Sequence, residues 1–149
     1  MLSASRIYVD PNALRRLYVH DDRSRGFCAW RARTRGPLPL TRHGRAELAN
    51  SICLAVFRGD IGHDDGDAAL ADLETDLAEG RLTLAEIPWR HALDRARELS
   101  LLHTPALGTR TLDVLHVASA LVVHCRRFVT YDLRQAALAK VVGLQVTAP

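Results

Sequence analysis

Residues Arg110 to Val146 read RTLDVLHVASALVVHCRRFVTYDLRQAALAKVVGLQV. The run predicts a helix, a short buried strand, a second helix and a final strand, because apolar residues recur at helical spacing and then bunch into short β-rich pieces. Two acids interrupt it. Asp113 follows Thr111, which reads as a helix N-cap, so Asp113 falls in the first helical turn. Asp132 follows the strand end Phe128-Val129-Thr130 and opens the next helix. A carboxylate at a helix N-terminus is held by free N–H groups and the helix dipole. One at the C-terminal end of a parallel strand stands where open α/β sheets place ligands.

Upstream, Arg6-Ile7-Tyr8-Val9-Asp10 reads as the first strand, stopped by Pro11-Asn12. Leu14, Leu17 and Tyr18 carry a helix after it. Asp10 is therefore another acid at a strand end, and helix capping is its alternative role. Arg23, Arg25, Arg31, Arg33 and Arg35 line a helix over residues 23–33 and its exit, read either as a solvated face or as a surface for phosphates or an acidic partner. Gly36 to Leu40 reads as a loop with room for a brief extended piece. Thr41 caps a helix over Arg42 to Phe57 with a stripe of Leu48, Ile52, Ala55 and Val56, and Glu47 sits at the edge of that stripe. His63-Asp64-Asp65-Gly66-Asp67 lacks the spacing of a calcium loop and reads as the acidic entry to a helix over Ala68 to Glu79. Arg81 to Leu84 is a strand. Pro88 opens a helix with Trp89, Ala92, Leu93, Ala96 and Leu99 inward, ended by His103-Thr104-Pro105. The alternation predicts a parallel sheet covered by helices on both faces.

The bulk numbers agree with one ordinary globule. The chain has 149 residues, 48% hydrophobic and 25% charged, with a net charge of +3. The charge is uneven: residues 1–60 hold 11 Arg and 5 acids, a balance of +6, and the remainder carries −3. Lys140 is the one lysine, and this arginine dominance reads more as the coding bias of a GC-rich genome than as phosphate recognition. Cys28, Cys53 and Cys125 form no C-x-x-C, which argues against zinc or a disulfide frame and for a reducing cytoplasm. The N-terminal residues lack the apolar core of a signal peptide, and no run approaches the roughly 18 apolar residues of a membrane span.

In such a sheet strand C-termini share one rim, so Asp10 and Asp132 are neighbours if their strands are, and Glu47 joins them if its helix crosses the sheet near Asp10. Clustered carboxylates repel unless a cation offsets them, and Mg²⁺ or Mn²⁺ suits such oxygen donors. The ordered motifs YVD (Tyr8–Asp10), TRHGRAELA (Thr41–Ala49), RTLDVLHVASAL (Arg110–Leu121) and FVTYDLRQAALAKVVGLQV (Phe128–Val146) resemble the PIN domain. Within that superfamily the chain is most similar to the VapC-like toxins of bacterial toxin–antitoxin pairs, along nearly its whole length. The resemblance implies a single PIN domain over 1–149, with a central parallel β-sheet of about four or five short strands. It implies an endoribonuclease using Mg²⁺ or Mn²⁺ held by Asp10, Glu47, Asp113 and Asp132. It further implies an RNA substrate, a cognate VapB-like antitoxin, a homodimer, a cytoplasmic setting and no membrane partner.

Around those acids, Thr130 is expected to hydrogen-bond a carboxylate or phosphate, and Arg110 to bind a phosphate or form a structural ion pair. The family often has Ser or Thr after the first acid. Pro11 stands there instead, which removes a hydroxyl and an N–H, and Asn12 is the available substitute. His116 reads as a core histidine satisfied by a hydrogen bond in preference to a general base. Other readings fit less well. A non-catalytic PIN-like binding module would lack one of the four acids. A receiver domain needs a lysine after a late strand, but Lys140 falls within a helix. A haloacid-dehalogenase phosphatase needs an acid where Asn12 stands, and a DNA-cleaving PIN relative would carry inserted helices.

Overall fold

The computed structural model describes residues 2–3 and 6–149; the sequence reading of residues 1–5 otherwise lies outside these. The elements run β1 (Leu2–Ser3), β2 (Ile7–Val9), α1 (Pro11–Leu14) with a 3₁₀ turn at Arg15–Leu17, α2 (Ser24–Ala32), β3 (Thr34–Arg35), β4 (Leu38–Thr41) and α3 (Arg42–Phe57). They continue with α4 (His63–Ala78), β5 (Leu82–Ala85), α5 (Trp89–Leu107), α6 (Thr111–Val122), β6 (Arg127–Val129), α7 (Leu133–Val141) and β7 (Gln145–Thr147). The protein is α/β, as expected.

Every described strand pairing is parallel. One ladder has the order β2-β6-β7 and a second joins β4 to β5. β4 lies beside β2, so the strands follow the sequence β5, β4, β2, β6, β7. β1 pairs with β3 separately. Because side chains alternate across a strand, β2 feeds two cores. Ile7 and Val9 join Phe27, Leu40, Leu48, Ile52 and Leu73 under α1 to α4. Tyr8 joins Phe128, Val117, Leu99 and Leu138 under α5 to α7. Tyr8 and Phe128 are paired across the ladder, and their rings stack with centroids 5.4 Å apart.

Four details differ from the sequence expectations. The Gly36 to Leu40 loop contains β4, an inner strand hidden by Pro39. Proline removes a ladder donor, but no hydrogen-bonded ladder joins β4 to β2, so the loss is tolerated. α4 starts at His63, drawing Asp64 and Asp65 into its first turn, where the dipole favours them. α5 continues through Pro105 to Leu107, although the proline has no N–H for the Leu101 carbonyl one turn back. Gly108, at φ 65°, then closes the helix with its N–H on the Thr104 carbonyl at 2.8 Å. Finally, Arg110 and not Thr111 occupies the N-cap of α6, with no side-chain cap bond. Leu93 is 55% exposed and outside the buried face of α5. Cys28, Cys53 and Cys125 are unpaired.

Phe128 is wholly buried in the layer beneath α6 and α7. Phe128→Ala is expected to cost about 3–5 kcal/mol, whereas Leu133→Ala, at an exposed site, should shift stability by no more than about 0.5 kcal/mol. Urea denaturation of both variants checks this; similar midpoints would show that the Tyr8–Phe128 layer is not core.

Candidate active site

Parallel register sets the rim. Val9 pairs with Val129, and the Asp10 N–H extends the ladder to the Val129 carbonyl at 2.9 Å. Asp10 and Asp132 therefore leave neighbouring strands at the same end. Asp10 is 3% exposed and caps α1, its Oδ2 accepting from the Asn12 backbone N–H at 3.2 Å. Pro11 sits at the first helical position, where a missing N–H costs nothing to the helix. Asp10 is thus both a cap and a rim acid.

Asp132 caps α7. Its Oδ1 accepts from the Gln135 N–H at 2.8 Å, and its own N–H donates to Thr130 Oγ1 at 3.0 Å. The Thr130 oxygen therefore anchors the Asp132 backbone, and its hydroxyl proton is still free to donate. Asp113 lies in the first turn of α6, with Arg110 Nε 3.5 Å from its Oδ2. That Arg110 side chain is 79% exposed, so the pair is a solvated one.

Glu47 reaches the site from the second turn of α3, which Thr41 caps by accepting the Gly44 N–H. A buried chain holds it. Tyr8 Oη lies 2.7 Å from His116 Nδ1, and His116 Nε2 lies 2.6 Å from Glu47 Oε2. Burial raises the Tyr8 phenol far above its ordinary value, so a neutral hydroxyl faces Nδ1. A carboxylate only accepts, so Nε2–H donates to Glu47. His116 is wholly buried with both ring nitrogens engaged, the satisfied core histidine expected, and its partner is one of the acids. His43 stacks on it at 4.7 Å and is held down to about 4 by burial and by His116.

Gln135 was not singled out in the sequence. Wholly buried, it donates from Nε2 to Asp10 Oδ1 at 3.2 Å and to the Asp113 carbonyl at 3.4 Å. Both partners are acceptors, which fixes the amide and leaves its Oε1 without a partner. The available signal was its place three residues after the Asp132 cap, the capping-box spacing. Here the side chain turns inward to Asp10 in place of reaching back.

The electrostatics tie the acids together. Burial pushes Asp10 up to about 6; His116 and Gln135 work against this, and Glu47 and Asp113 add to it. Asp113 is raised by burial and then by Asp132, with Glu47 contributing. Two clefts flank Asn12. One of about 260 Å³ is lined by Asp10, Asn12, Arg16, Arg23, Tyr131 and Asp132. The other, of about 320 Å³, is lined by Asn12, Glu47, Arg110, Thr111, Leu112 and Asp113. A larger apolar cavity between α3 and α4 touches none of the four acids.

No three His, Cys, Asp or Glu side chains among the described residues are drawn together as a closed metal-ligand set. The donors still fit a hard divalent ion, being all carboxylate oxygen, with the proton affinities of Asp10 and Asp113 raised by burial and by the neighbouring acids and the Gln135 oxygen left without a partner. Mg²⁺ in particular is held by one or two carboxylates with waters, so a closed set is not required.

No family model matches the chain. Ribonuclease VapC46 of Mycobacterium tuberculosis is 31% identical over 145 residues, spanning 96% of this chain and 97% of that protein. The chain belongs to the VapC-like family of PIN-domain ribonucleases. In this VapC-like chain no described helix is long and apolar enough to cross a membrane.

The VapC-like rim carries a stability cost that depends on pH. A carboxyl raised in the folded state stabilises the fold below its ordinary value, 3.8, and that contribution is lost as pH rises through about 6. The difference corresponds to about 3 kcal/mol. Asp10→Asn keeps the cap without the charge, so in chelator it should equal wild type near pH 4 and exceed it by roughly 1–3 kcal/mol at pH 7. Urea titrations at the two pH values decide; a variant less stable at pH 7 would mean that Asp10 ionises without strain.

Proposed function

We propose that this chain is a metal-dependent endoribonuclease toxin acting through Asp10, Glu47, Asp113 and Asp132, neutralised by a cognate VapB-like antitoxin. The observation that carries the reading is the mutual electrostatic coupling of these acids at the C-terminal rim of the parallel sheet. Residues 1–149 are read as one PIN domain, dimeric and cytoplasmic, with RNA as substrate.

Mg²⁺ or Mn²⁺ on these carboxylates would supply a hydroxide nucleophile and offset charge on the phosphoryl oxygen. The chain's own residues prepare the place. Gln135 fixes Asp10 against Asp113, and His116, oriented by Tyr8, fixes Glu47. The cap bond of Asp132 leaves its second oxygen for a water or an ion. Arg110, mostly in solvent beside Asp113, is placed to meet a substrate phosphate. Asn12 lines both clefts and presents its amide where a hydroxyl would otherwise stand.

Two measurements test this. Antitoxin-free protein, incubated with end-labelled RNA, should give discrete cuts with Mg²⁺ or Mn²⁺ and none with chelator, reduced at least about 100-fold in Asp10→Ala and Asp113→Asn. Uncut RNA with every metal would favour a non-catalytic binding module. Independently of activity, saturating Mn²⁺ should raise the melting temperature of wild type and not of Asp10→Asn. At a hundred times the dissociation constant the gain is about 2.7 kcal/mol. An equal shift in both proteins would remove Asp10 from the metal site.

A further inference from the structure

The cleft that holds Asp10 and Asp132 has an opposite wall of different chemistry. Arg16, in the 3₁₀ turn, and Arg23, at the N-cap of α2, both place their guanidinium carbons over the Tyr131 ring, at 4.6 and 4.7 Å from its centroid. Tyr131 immediately precedes Asp132, so the stack is tied to that acid through one peptide bond. Its hydroxyl donates to the Pro149 carbonyl at 2.9 Å, which fixes the ring from its far end.

Two like charges over one ring repel each other, and the ring quadrupole offsets only part of that. Asp21 braces the arrangement. Its Oδ2 lies 3.3 Å from an Arg16 nitrogen, and its Oδ1 accepts the Arg23 backbone N–H at 2.9 Å. It neutralises Arg16 and leaves the Arg23 guanidinium without a carboxylate partner among the described residues. The Nε of Arg16 is buried and also unpartnered. Arg16 also donates to the Asn12 carbonyl, so the Arg23 fork, stacked on Tyr131 and lining the cleft beside the acids, is the one with spare donors suited to an oxyanion with several acceptor oxygens.

We propose that Arg16, Arg23 and Tyr131 form a phosphate subsite that holds a backbone phosphodiester of RNA next to the one exposed to Asp10 and Asp132. This rests on the ribonuclease reading above and deepens it. Arg23 is the group that adds charge to the subsite. Arg16 is braced, and Tyr131 keeps the two guanidinium planes in place. The subsite sets the position of the strand on the rim, and the acids act on the neighbouring linkage.

The test is binding of a labelled oligouridylate to the full chain in chelator, across a salt series, alongside cleavage of RNA with Mn²⁺. Arg23→Ala should weaken binding roughly 5- to 10-fold. It should also flatten the dependence of log affinity on log salt by about 0.7, the loss of one single-strand phosphate contact. Arg23→Lys should keep the slope and recover only part of the affinity, since it retains the charge and loses the fork and stack. Arg58→Ala, at the far end of α3, should change neither. Arg23→Ala with wild-type affinity and slope, while the wild type still cuts, overturns the subsite and leaves the ribonuclease reading standing. A wild type that neither binds nor cuts overturns both.

Discussion

A carboxylate taken almost entirely out of water is the constraint on which this rim depends. Asp10 gains a ladder position, a helix cap and an amide donor from Gln135. None of these removes the cost of its charge, because burial raises its proton affinity most and Glu47 and Asp113 add to that. Such a group persists only where surrounding packing leaves it no alternative. The stacked Tyr8 and Phe128, two residues before Asp10 and four before Asp132, supply that packing, and the parallel register fixes where the next residue emerges.

The other acids are held by the same logic with different parts. Asp132 uses the free N–H groups of α7, and Asp113 sits in the first turn of α6, so two helix termini point at one place. Glu47 has no terminus to use. It depends on His116, which depends in turn on Tyr8, a line of hydrogen bonds crossing from the sheet through α6 to α3. The strand that stacks against Phe128 therefore also orients an acid on a distant helix. Core packing and site geometry are one problem here, solved by the same side chains.

Charge is divided across the cleft. The acids occupy the strand ends, while arginines gather over Tyr131 from the first turn and from α2. A nuclease needs both signs close together: negative groups to hold a cation, and positive groups to hold the polyanion that the negative groups repel. Asp21 pairs with Arg16 on the arginine side of the cleft. The arginine excess of the first 60 residues, which in the sequence reads as genomic composition with a phosphate-binding surface as the alternative, acquires a specific place at two of its members.

Much of the architecture was legible in the residues. Helix and strand periods placed β2, α3, β6 and α7 to within a residue or so, and strand-end or helix-start positions marked Asp10, Asp113 and Asp132. Those are local signals, set by caps, turns and side-chain alternation within a few residues. β4 showed only as a brief extended piece because Pro39 argues against a strand locally, and only its neighbours supply the reason it is tolerated. Gln135, the pairing of His116 with Glu47, and the stack of Arg16 and Arg23 on Tyr131 escaped for a different cause. Each joins residues far apart in the chain, from 69 positions for Glu47 and His116 to 125 for Asp10 and Gln135. The sequence by itself determined which acids stand at strand ends and helix starts, since the backbone's own hydrogen bonding decides that. Only the tertiary structure decided which buried amide, histidine and arginine face them, because close packing of the two cores selects those partners.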